Sequence, residues 1–320
     1  MRLFRCAKGA DVPSLPRSSG QRRTIALVVT GIAASLALVL AVASADPLGR
    51  VTESSAGIHL DGSPYLIAAG PDGNMWFTDQ NATSIGRVTA AGAITEYAGA
   101  TDIPSGIAAG PDGNLWFTEQ SGDRIGKITP DGVVSEYAAG ISAGGGPRGI
   151  AAGPDGNLWF TESAGRVGRI TPAGVVTEYA AGIDAGGVPR GIAAGADGNI
   201  WFTEYVGGAV GRITPAGVVT EFSDGISAGA GPAGIAAGPD GNMWFVEAVG
   251  NRIGRITPAG VVTEYSTGIS VGPYGSSFPT GIALGPDGNM WFTETCCAAL
   301  DQSVPGRLGK IGVTAEGLPG

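Results

Sequence analysis

Six acidic residues recur in one setting along this chain: Asp79, Glu119, Glu162, Glu204, Glu247 and Glu294 each follow a Trp-Phe-Thr triplet or its variant Trp-Phe-Val. Carboxylates gathered round one axis suit a hard cation such as magnesium or calcium, with Glu119, Glu162, Glu204, Glu247 and Glu294 as the candidate ligands. The competing reading makes each acid part of its repeat, bonded to backbone or to an arginine such as Arg87, Arg169, Arg212 or Arg255. A second set, the residue after a loop proline, varies from copy to copy: Tyr65, Ser105, Arg148, Arg190, Ala233 and Thr280. Arg148 and Arg190 bring forked donors able to hold a ligand's carboxylate or carbonyl, or to neutralise Glu162 and Glu204. With Tyr65 and Tyr205 they form the candidate ligand-binding rim.

Two further features carry potential chemistry. His59 is the lone histidine, available as a base or metal ligand, although a lone loop histidine is more often without a task. Cys296 and Cys297 are adjacent, so a vicinal disulfide is one reading, beside pairing between chains or two free thiols.

The elements that position these residues are read from the repeat. Successive tryptophans (Trp76, Trp116, Trp159, Trp201, Trp244, Trp291) stand 40, 43, 42, 43 and 47 residues apart, a period of blades, solenoids or arrays. In the second copy four short extended segments are expected at Gly106–Gly110, Asn114–Glu119, Arg124–Thr129 and Val133–Tyr137, joined by Asp-Gly turns that supply positive φ angles. Gly or Pro interrupts every window too soon for a helix. A four-stranded antiparallel meander of this length is one propeller blade, so the fold class is all-β, a six-bladed β-propeller. Val51-Thr52-Glu53 matches the fourth strand of a blade, and the last copy stops after Arg307–Ile311, a third strand. The N-terminal strand is therefore expected to complete the last blade and close the ring. In that ring the acids and the post-proline residues share one face, at the mouth of the channel.

Residues 1–45 stand apart. Basic residues precede an apolar run from Ile25 to Ala43 that ends in Ala43-Ser44-Ala45, the outline of a cleaved signal peptide. An uncleaved membrane anchor is the alternative, since a span needs roughly 20 residues. Arg22-Arg23 leaves the export route open. The 46–320 domain is then extracytoplasmic. The whole chain carries −9, and the leader holds six basic residues against one acid, so the remainder is more acidic still. Such a surface argues against nucleic acid and anionic lipid. The expected partner is a small-molecule or peptide ligand at the channel mouth of a monomer.

The repeated Pro-x-Gly-Ile-Ala-x-Gly-Pro-Asp-Gly-Asn-x-Trp-Phe-Thr-Glu, with x-Ile-Gly-Arg-Ile-Thr-Pro-x-Gly-x-Val-Thr-Glu-Tyr, resembles the virginiamycin B lyase (streptogramin B lyase) family from residue 48 to about 313. That resemblance implies a propeller, of seven blades in the true lyases. It also implies ring opening of cyclic depsipeptides by elimination at an ester, with magnesium, histidine and acidic residues at the channel mouth. Histidine is looked for in Pro-His-Gly-Ile segments, where this chain has Tyr65, Ser105, Arg148, Arg190, Ala233 and Thr280. Three readings stay open: a metal- and carboxylate-assisted carbon–oxygen lyase, a non-catalytic binding propeller, and a metal-dependent lactone hydrolase.

Overall fold

The computed structural model describes residues 56–59, 62–269, 278–294 and 307–313. They form six antiparallel sheets at 64–98, 104–137, 147–179, 189–222, 232–265 and 279–311, here called blades 1 to 6. The first five have four strands in meander order, and the sixth has three described strands. The fold is thus the six-bladed all-β propeller that the repeat implies. The second-copy strands run Pro104–Ala109, Leu115–Glu119, Arg124–Ile128 and Val134–Tyr137, so the inner strand begins two residues earlier than expected. Residues 1–55 and 314–320 lie outside the described set, and with them the leader and the proposed closing strand Val51-Thr52-Glu53.

Blade 3 shows how the local sequence makes the unit. Its strands are Pro147–Ala152, Leu158–Glu162, Arg166–Ile170 and Val176–Tyr179. Alternation along the second strand sends Trp159 and Thr161 to one face, and Leu158, Phe160 and Glu162 to the other. Asp155 turns the first hairpin and also accepts the Trp159 indole N–H at 3.1 Å, which locks the buried ring to the turn. Phe160 lies flat against Gly168, its cross-strand neighbour. A Cβ at Gly168 would fall 2.0 Å from the ring, so only glycine allows the approach. On the other face Trp159 stacks on Tyr179 at 5.5 Å, and the Arg169 guanidinium covers both rings.

Blades join face to face. Trp116 and Ile125 of blade 2 pack with Ile150, Leu158, Phe160 and Ile170 of blade 3, and equivalent clusters fill the other four junctions between consecutive blades. The first four junctions also carry polar ties. The Thr161 hydroxyl donates to the Arg190 carbonyl of blade 4 at 2.7 Å, and the Arg169 guanidinium donates to the Pro215 carbonyl at 3.1 Å.

Blade 6 does not pack on blade 1 among the described residues. Trp291 is 38 % exposed where Trp159 is fully buried, and on blade 1 Ile67 is 62 % exposed where Ile107 is buried. The Thr293 hydroxyl, equivalent to Thr161, pairs with Thr280 of its own blade instead of a carbonyl of blade 1.

Candidate ligand-binding mouth

Pairing of Glu162 with Pro147 places the second-strand acids at the same end of the sheets as the start of the inner strands. There they do not line the channel. Asp79, Glu119, Glu162, Glu204 and Glu247 are fully buried and Glu294 nearly so. Asp79, Glu119, Glu162 and Glu204 lie beneath the linker that enters their own blade. Glu119 accepts the N–H groups of Thr101 and Asp102, and Asp79 that of Ser63. Gly145 and Gly187, in the linkers of blades 3 and 4, press so closely on Glu162 and Glu204 that a Cβ would stand 2.7 and 2.8 Å from the carboxyl groups.

In blades 1 to 5 a fourth-strand acid also accepts from the entering linker. Glu178 accepts both the N–H and hydroxyl of Ser142 at 2.6 Å, Glu264 those of Ser227, and Glu136 those of Thr101. In blades 1 to 4 the result is a pair of carboxyls against the linker. Burial first, then the neighbouring Glu178, pushes Glu162 up to about 8. Burial and Glu264 do the same to Glu247, while burial, Glu221 and Asp184 raise Glu204 to about 8. Glu119 reaches only about 7: burial and Glu136 raise it, and its two backbone donors oppose them. Burial also acts on Glu264, but the Ser227 donors outweigh it and hold that carboxyl below its ordinary value. Burial thus raises Glu247 while the Ser227 donors hold Glu264 down.

Three expectations change here. The six acids do not converge on one axis, and among the described residues no group of three or more His, Cys, Asp or Glu is placed to hold a metal ion. The magnesium or calcium implied for Glu119, Glu162, Glu204, Glu247 and Glu294 does not fit this arrangement, because these carboxyls are buried one to a blade and no three of them converge. Of the six acids only Glu247 has an arginine ion-pair partner among the described residues, Arg252 at 3.6 Å, while Arg124, Arg166 and Arg252 reach the fourth-strand acids Glu136, Glu178 and Glu264 at 3.9, 4.0 and 3.7 Å. Arg87, Arg169 and Arg212 instead reach the proline carbonyl of the next blade's turn. Register sets Arg124, Arg166 and Arg252 directly opposite Glu119, Glu162 and Glu247, but of the three only Arg252 forms an ion pair with the acid it faces.

The channel mouth is built by the inner strands, and here the rim residues meet. Arg148 is fixed through its Nε, which donates to the Ser163 hydroxyl at 2.6 Å. Arg190, one blade on, lies over the Tyr205 ring with the guanidinium carbon 3.4 Å from the centroid. Burial and then the Arg148 charge lower the Arg190 pKa, while Tyr205 and Tyr65 of blade 1 oppose that shift. The Arg190 Nε is buried without a hydrogen-bond acceptor. Among the described residues no carboxylate forms an ion pair with either arginine, so neutralisation by Glu162 and Glu204 is not what these side chains do. Ser105 and Ala233 at the equivalent positions are buried and uncharged, and Thr280 is exposed.

His59 belongs to the linker entering blade 1, where its backbone N–H donates to Glu96. Cys296 and Cys297 lie outside the described residues.

Known proteins share this repeat and this fold. A sequence model of the Virginiamycin B lyase family matches residues 57–270 and 183–303. This chain belongs to the virginiamycin B lyase family. A structure titled as a streptogramin B lyase is 36 % identical, covers 79 % of this chain and 81 % of its own, and superimposes with a TM-score of 0.69. Virginiamycin B lyase from Staphylococcus aureus is 38 % identical, with 75 % and 84 % covered and a TM-score of 0.67. A catalytically inactive histidine-to-alanine variant of that enzyme has been solved with quinupristin. The virginiamycin B lyase of Mycolicibacterium smegmatis is 50 % identical over 40 residues, which are 12 % of this chain and only 14 % of that protein's length. More distant propellers, a putative gluconolactonase at 16 % identity and the calcium-binding regucalcin of Agrobacterium tumefaciens at 19 %, share the fold.

Proposed function

We propose that this member of the virginiamycin B lyase family is an extracytoplasmic ligand-binding propeller that takes a small molecule or peptide at its channel mouth, without histidine-dependent elimination. The observation that carries the reading is the pairing of Arg148 with Arg190, flanked by Tyr65 and Tyr205, at the place where inner strands converge. Elimination at an ester needs a base within reach of the α-proton. The carboxyls that would have served lie under linkers, and the single histidine stands in the linker clasp of blade 1. Export fits the leader read in residues 1–45 and the acidity of the rest.

Family membership favours a second reading, a lyase acting on cyclic depsipeptides. One assay separates the two: the purified protein is incubated with a type B streptogramin and with simple lactones, with and without magnesium. Elimination changes retention at constant mass, and hydrolysis adds one water. The binding reading expects an unaltered substrate in every arm, together with a saturable calorimetric signal for the streptogramin or its opened form. Turnover that depends on metal and is lost in Glu162→Gln or Glu204→Gln would overturn it.

A further inference from the structure

We propose that the Arg148–Arg190 pair is a carboxylate-binding subsite, so that the mouth selects an open-chain acid bearing a flat or apolar group over the neutral cyclic ester. This rests on the binding reading above and adds the chemical class of the ligand.

The charge arrangement makes the first argument. Two guanidinium groups from neighbouring blades face one mouth, and neither has a carboxylate partner among the described residues. The second-strand acids of the same two blades, Glu162 and Glu204, are fully buried, and burial pushes both carboxyls up to about 8. Arg148 already weakens the hold of Arg190 on its proton. A bound anion would reverse that repulsion and satisfy the open Arg190 Nε.

The second argument is pre-organisation. Arg148 is tethered through Nε to Ser163, which leaves its two terminal nitrogens for a ligand. Arg190 is held flat on Tyr205, so its fork loses less freedom when it binds. Planar forked donors match a carboxylate in two parallel hydrogen bonds, a fit that an ester carbonyl with one acceptor oxygen cannot repeat.

The third argument is asymmetry. The repeat places Ser105, Ala233 and Thr280 at the corresponding positions of blades 2, 5 and 6, so positive charge at this level is confined to blades 3 and 4. Tyr205 and the exposed Tyr65 add aromatic surface beside it. The ligand that fits has a carboxylate next to a ring or apolar side chain. The acid released when an ester-closed peptide ring is opened is of this class.

Calorimetry on the purified protein tests it, with N-acetylphenylalanine, its methyl ester, its amide and inorganic phosphate as probes. The acid is expected to bind, with the ester and amide weaker by about tenfold or more, as loss of charged hydrogen bonds requires. Arg148→Gln and Arg190→Gln should each weaken the acid by a similar factor with unchanged melting curves. Lys127→Gln removes the same charge at the opposite end of blade 2, where Lys127 faces Asp112 and the Pro172 carbonyl, and should leave binding unchanged. Equal affinity for acid and ester, unaltered acid binding in both arginine variants, phosphate binding without carboxylate binding, or no binding of any probe would each overturn the proposal. If all four probes fail while an intact streptogramin binds without turnover, the carboxylate subsite falls and the binding reading stands. Turnover removes the binding reading itself.

Discussion

The junction between blades 3 and 4 and the seam between blades 6 and 1 are built from the same sequence pattern and differ in almost every physical respect. At the junction Trp159 is enclosed by Ile200, Phe202 and Ile213, and Thr161 is bonded to the next inner strand. At the seam Trp291 and Ile67 both face outward, and Met75 is 40 % exposed where its equivalent Leu158 is fully buried. The residue types are alike, so burial here comes from having a next blade and not from the blade's own sequence. Among the described residues Trp291 has no stacked ring such as Tyr179 gives Trp159. Aligning Val51-Thr52-Glu53 with Val176-Thr177-Glu178 puts Ser54 at that place.

Four predictions test the contrast. Trp159→Ala should cost about 3–5 kcal/mol by urea denaturation, as for a large aromatic removed from a filled core, and Trp291→Ala less than half of that. Equal losses would mean that the seam is covered in solution. Deleting residues 46–55 should lower stability by on the order of 2 kcal/mol, one large apolar side chain returned to water, and increase binding of an apolar dye. An unchanged midpoint would show that no N-terminal strand covers blade 6.

The third prediction concerns pH. The raised carboxyls Glu162, Glu204 and Glu247 bind protons in the native state that the unfolded chain releases above its ordinary carboxylate value. Stability is therefore fully present near pH 4.5 and is lost as pH rises towards 8. The melting midpoint should fall across that window, and the triple Glu→Gln variant should flatten the fall; a midpoint that climbs from pH 5 to 8 would refute the assignment. The smallest effect is expected from the covering cations. Arg212→Gln, which loses the Pro258 carbonyl and the face of Trp201, should cost about 0.5–1 kcal/mol, whereas Lys310→Gln over exposed Trp291 should cost close to nothing.

Blade architecture was legible because its signals are local. Asp-Gly turns, glycine opposite phenylalanine and a tryptophan at a fixed interval all act within one meander. The acidic residues were misplaced for a different reason. Glu162 and Arg148 were set at one end of the disc, but the pairing of Arg166 with Glu178 and the close approach of Gly145 to Glu162 are contacts that chain order does not display. The second duty of Asp155, holding the Trp159 indole, was equally hidden, although the four-residue spacing is constant in all six copies.

By itself, the sequence determined the repeat, its strands, the number of blades and the two rim positions where arginine replaces the small or neutral residue of other copies. Only the tertiary structure decided what the charges do. Inner strands meet at the axis, so Arg148 and Arg190, one blade apart, come to share a mouth with Tyr65 and Tyr205. Second strands lie one spacing farther out, so Asp79, Glu119, Glu162 and Glu204 are drawn away from that mouth and sit against the linkers between blades.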